Sequence, residues 1–63
     1  MKTITLTGGD AGGETAEVSQ VGDEVRIERG ARALVYEARE VEDPDTGEVS
    51  LAGVFVRSER RVP

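Results

Sequence analysis

The segment Glu24-Val25-Arg26-Ile27-Glu28-Arg29 alternates charged and hydrocarbon side chains with a period of two. That pattern places every second side chain on one face of a strand, whereas a helix needs apolar residues three and four apart. The same period runs through most of the chain. Ile4 and Leu6 oppose Thr3, Thr5 and Thr7, and Ala16 and Val18 resume the alternation after Glu14-Thr15. Between those two segments, Gly8-Gly9-Asp10-Ala11-Gly12-Gly13 supplies the conformational freedom of a turn, so they read as a hairpin. Gln20-Val21-Gly22-Asp23 is the next turn.

The longest strand is expected at residues 34–41, with Leu34, Tyr36 and Ala38 on one face and Val35, Glu37, Arg39 and Val41 on the other. Residues 31–42 are also rich in helix formers. The helix is rejected because Asp43-Pro44-Asp45-Thr46-Gly47 reads as a hairpin loop, proline at the first turn position and Gly47 at the left-handed bulge position. A fifth strand follows over residues 48–57. Its alternation changes phase around Gly53, which predicts a bulge or bend there. The fold class is therefore all-β: a single small antiparallel sheet of about five strands, a curled meander or a small barrel. Residues 1–57 form one domain, and residues 58–63 a basic C-terminal tail that is either frayed or an arm ordered by a partner. The expected core is Ile4, Leu6, Ala16, Val18, Val25, Ile27, Leu34, Tyr36, Leu51, Val54 and Phe55.

With 63 residues the chain buries only about 60% of the surface its unfolded form exposes. Domains of this size commonly add a disulfide, a metal or a partner. Cysteine and histidine are both absent, so disulfides and the softer metal ligands are excluded. The reading favours a subunit stabilised by neighbours over a lone monomer. No segment approaches the ~20 apolar residues of a membrane span. The opening residues are strand-like and lack a signal peptide's apolar region, so a non-secreted protein without a transmembrane segment is expected.

The chemistry of catalysis is poorly represented. No histidine or cysteine is present to act as base or nucleophile, and Lys2 is the sole lysine. Carboxylates abound, but a sugar-sized pocket would consume most of so small a core. The acidic loop at 43–48 lacks the ligand spacing of a calcium loop. The glycines at 8–13 are followed by Glu14 and a strand, the wrong charge and the wrong element for a phosphate cradle. No enzyme activity, cofactor or metal is expected.

The net charge of −5 opposes general affinity for nucleic acid. Charge is nonetheless segregated. Residues 26–39 carry Arg26, Arg29, Arg32 and Arg39 against two glutamates, and residues 40–50 carry Glu40, Glu42, Asp43, Asp45 and Glu48 with no base. The end of the chain is basic again through Arg57, Arg60 and Arg61. Such alternation suits self-complementary or head-to-tail contacts. An oligonucleotide-binding barrel remains an alternative, although Tyr36 and Phe55, the only aromatics, are expected in the core.

Residues 4–18, a strand, a Gly-Gly turn and a second strand ending in valine, resemble small accessory proteins of phages and prophages of high-GC bacteria. The Tyr36-bearing strand and the later Gly53-Val54-Phe55-Val56 match further features of that group. The likeness covers about a third of the chain. It departs at Asp10, where proline is usual, and at Gly12-Gly13, where Asp-Gly is usual. The resemblance implies a small phage accessory protein, often of unassigned role and in some cases a virion component. Together with the size, the absence of covalent staples and the segregated charge, it leads to the expectation of a virion protein, assembled in the host cytoplasm, that decorates or stabilises the head. The expected partner is a major capsid protein, copies of this chain, or both. Val35, Val41 and Val49, taken as one outer face, with Arg57, Arg60 and Arg61, are the expected contact residues. The alternative function is a free cytoplasmic adaptor or inhibitor that docks one protein through a strand edge.

Overall fold

A computed structural model describes residues 1–60. Five strands follow in order: β1 (Lys2–Thr7), β2 (Thr15–Val18), β3 (Glu24–Arg29), β4 (Arg32–Glu42) and β5 (Val49–Arg60). They form one sheet in the order β2-β1-β5-β4-β3, curled into a barrel that is closed except at a seam between β2 and β3. The all-β expectation holds, with one difference: the sheet is mixed, because β1 and β5 are parallel, pairing Leu6 with Gly53 and Thr7 with Val54. Strand number explains this. In an up-and-down path each strand reverses the last, so with five strands the first and fifth point the same way. Closing such a path requires one parallel pair.

The core lies inside the curl. Ile4, Leu6, Ala11, Val18, Leu34, Tyr36 and Ala38 are buried together, with Ala16, Val25, Ile27, Leu51 and Phe55 packed against them. Val54 departs from expectation: it lies opposite Glu37 on the outer face, half-buried. The predicted phase change at Gly53 is also displaced. Val35 pairs with Arg57 and Tyr36 with Phe55, so Val56 is the extra, bulged residue. Gly53 keeps its alternation and is buried because Leu6 crosses it so closely; a Cβ there would stand 2.5 Å from Leu6 Cδ2.

Tyr36 holds the loop of residues 8–13 over one mouth of the barrel. Its hydroxyl donates to the Gly8 carbonyl at 2.6 Å and accepts from the Ala11 N–H at 3.2 Å, while its ring meets Phe55 edge to face at 5.5 Å. Gly9 lies against both rings with φ +67°, and any side chain there would collide with the Tyr36 hydroxyl. Ala11, which the sequence reading left in a turn, is thereby inserted into the core. At the other mouth Asp23 accepts from the backbone N–H groups of Ser19 and Gln20, and its own carbonyl accepts from Ala38 N–H at 2.8 Å. The seam is bridged at its open end by an ion pair between Glu14 and Arg29.

The hairpin loop at 43–47 forms as expected. Gly47 adopts φ +75° and donates to the Asp43 carbonyl, and the Asp43 carboxylate accepts from Asp45 N–H. Strand β5 continues through Arg60, so residues 58–60 belong to the sheet and not to a separate tail. The remainder of that expected tail, 61–63, lies outside the described residues. No helix among the described residues is long and apolar enough to cross a membrane.

Candidate interaction surface

Strands β4 and β5 outrun the rest of the barrel. Strand β3 pairs with β4 only as far as Glu37, and β1 pairs with β5 only at Gly53 and Val54. Among the described residues, 39–52 therefore pair only with each other, a two-stranded arm with both edges free. Its registers are Arg39 with Ala52, Glu40 with Leu51, Val41 with Ser50 and Glu42 with Val49. Every residue from 39 to 50 is exposed. The arm lengthens the molecule to 45 Å along one axis, against 22 and 15 Å along the others.

Register separates two of the expected contact valines. Val49 lies opposite Glu42 and continues the inward-facing row of Leu51, whereas Val41 lies opposite Ser50 on the outward row. Both are exposed, at 42% for Val41 and 56% for Val49. Val49 and Leu51 border an open groove of about 500 Å³ between the arm and the barrel rim, closed on the other side by Lys2, Thr3 and Val21. The sequence reading missed this groove, because it depends on β1 diverging from β5 before residue 6.

Val35 is a correction. It faces outward as expected, yet is only 1% exposed. Its cross-strand neighbours are Arg26 on β3 and Arg57 on β5. Arg26 reaches across β4 to Glu59 at 2.6 Å, and Arg57 reaches across to Glu24 at 3.7 Å while bonding Glu59 at 2.9 Å. An arginine on each flank of a valine can lay its aliphatic stem over it while the charged head stays in water, which accounts for the burial of Val35 on the outer face. Val35 is thus unavailable as a contact, and Arg57 is engaged within its own chain. Arg57 holds the Glu59 carboxyl below its ordinary value by hydrogen bonding, with Arg26 adding to the effect. The Arg57 guanidinium is raised by the same bond. These pairs are solvent-exposed and individually weak.

A second group emerges at the opposite end. Arg29 pairs in register with Arg32, and Arg32 with Arg60, so three arginines form one row across β3, β4 and β5. A two-residue loop, Gly30-Ala31 with φ +59° at the glycine, brings the first two together, the order expected of a type II′ turn. Arg29 is engaged by Glu14, whose bond raises the guanidinium pKa. Among the described residues Arg32 bonds the Ser58 hydroxyl alone, at 3.2 Å, and Arg60 is exposed beside it. Of the residues expected to make contact, Arg60 thus belongs to this row. Arg61 lies outside the described residues. The sequence held a signal for part of the row, since Arg29-Gly30-Ala31-Arg32 is a two-residue hairpin spacing; the alignment of Arg60 depends on the Val56 bulge.

Among the described residues no group of three or more histidine, cysteine or acidic side chains is arranged to hold a metal ion. No family model, curated protein or solved structure matches this chain. What its geometry defines is a small, nearly closed β-barrel with a projecting acidic arm.

Proposed function

We propose that this domain is a non-enzymatic interaction subunit, most concretely one that decorates or stabilises a phage head through its arm. The arm carries the reading. A two-stranded ribbon in water is marginal on its own, and this one leaves Val41 and Val49 exposed and both edges unpaired. Such an element gains stability when another surface covers it. A capsid offers many copies of one such surface, and its major capsid protein is the partner this reading names. The phage context rests on the resemblance of residues 4–18 to small phage accessory proteins. The free edges also support the alternative of a free adaptor that pairs with a partner's strand.

Mass spectrometry of purified particles from the phage or prophage that encodes the chain tests the reading. The 6.7 kDa chain is expected in stoichiometric amount, and a V41D/V49D variant is expected to fold but stay off the particle. Particles lacking the wild-type chain end the head reading. A stable complex with one protein in particle-free extract would establish the adaptor instead.

A further inference from the structure

We propose that copies of this chain associate head to tail, the acidic arm of one engaging the row of Arg29, Arg32 and Arg60 on the next. The inference deepens the reading of the domain as an interaction subunit and rests on its premise that the domain works by contact. It does not depend on a capsid.

An acidic cluster and a basic row, in which Arg32 and Arg60 form no ion pair among the described residues while Arg29 is held by Glu14, lie at opposite ends of one elongated body. The arm carries Glu40, Glu42, Asp43, Asp45 and Glu48, and none of these forms an ion pair among the described residues. Arg39, at the base of the arm, is engaged by Glu37 at 2.5 Å, and Lys2, which lines the groove together with Glu40, forms no ion pair with the arm among the described residues. At the other end Arg32 and Arg60 are direct cross-strand partners. Like charges in that position repel and are destabilising, so an anion laid across them relieves the repulsion. Adjacent strands are ~4.8 Å apart, so the row spans ~10 Å, and alternate carboxylates along an arm strand recur every ~7 Å. With Arg29 already bonded to Glu14, the row offers Arg32 and Arg60 to the carboxylates of one arm.

The molecule cannot satisfy the two clusters internally. Strand β4 begins at Arg32 and ends at Glu42; ten steps at ~3.3 Å put them ~33 Å apart on one rigid strand. Only a second molecule can bring such an arm to such a row. Because the two surfaces differ, the contact is heterologous and propagates into a ring or an open chain. A second copy is also a better match than a nucleic acid, whose phosphates would meet the arm and a chain of net charge −5.

Sedimentation velocity of the full chain over a range of concentrations tests the proposal. Association is expected at low ionic strength and its loss near 1 M salt, where the screening length falls to ~3 Å. The row variant R32E/R60E and the arm variant E42K/E48K should each be monomeric, with far-UV circular dichroism unchanged. Mixed together they should associate again, since each then offers an end complementary to the other. A wild-type chain that stays monomeric at low salt overturns the proposal, as does association that survives either reversal, or a mixture that stays dissociated. If a reversal unfolds the chain, the neutral pair R32Q/R60Q replaces it and should likewise abolish association. Monomeric chain that is nevertheless present on particles overturns only this inference; self-associating chain absent from particles overturns only the head reading.

Discussion

Strands β4 and β5 each belong to two regions that behave oppositely. Over Leu34, Tyr36 and Ala38, with Gly53 and Phe55 alongside, they form the wall of a plugged barrel. Over residues 39–42 and 49–52 the same strands form a ladder of their own that no third strand covers. Backbone pairing is continuous between the regions, so hydrogen bonding cannot distinguish them. What differs is the inward row: Leu34, Tyr36 and Ala38 give way to Glu40 and Glu42. A sheet this small persists as a fold where its inner face is dry, and beyond that point it becomes an appendage. Stability is concentrated in one half of the molecule and the free charge of the arm in the other.

That contrast is most directly broken at Tyr36. Tyr36→Ala removes the largest buried side chain and the tether of the glycine loop; at about 3–5 kcal/mol it should leave the domain largely unfolded in urea titrations. Tyr36→Phe separates the two contributions. It keeps the ring but strands the Ala11 N–H and the Gly8 carbonyl, at a cost of about 1–3 kcal/mol. Next in size is Gly53→Ala, whose Cβ would stand 2.5 Å from Leu6 Cδ2. Overpacking there should destabilise by about 1–3 kcal/mol, read as a lower midpoint with unchanged denaturant slope. Should Gly53→Ala be neutral, the β1–β5 junction is looser than its geometry implies.

The arm should show the reverse behaviour. Val49→Thr and Val41→Thr are expected to shift stability by no more than about 0.5 kcal/mol. Amide exchange at residues 40–50 should run far faster than at Leu34 or Tyr36. Protection of the arm equal to that of the barrel in the dilute monomer would erase the distinction. The smallest effect is electrostatic. The Glu59 carboxyl sits below its ordinary value of 4.5 because Arg57 bonds its ionised form. Its contribution is therefore present above pH 4.5 and lost as pH falls through the lower, folded-state value. Glu59→Gln should flatten that part of the acid limb slightly, since the pair is exposed.

The sequence by itself determined the strands, their turns and most of the core. Alternation of Val25 and Ile27 with charges, the glycines at 8–13 and the loop at 43–47 act within a few residues of each other, so local chemistry suffices to specify them. It also showed the acidic run at 40–50. Contacts between distant segments decided the rest. Which strand closes the barrel, and hence the parallel β1–β5 pair, depends on curvature summed over the whole sheet. Val35 is buried on the outer face between Arg26 and Arg57, which come from the strands on either side, and Ala11 reaches the core in a loop that the Tyr36 hydroxyl ties down. The row of Arg29, Arg32 and Arg60 exists only in register, through the bulge at Val56. One residue more or less there turns Arg60 to the other face, because neighbouring side chains on a strand point opposite ways.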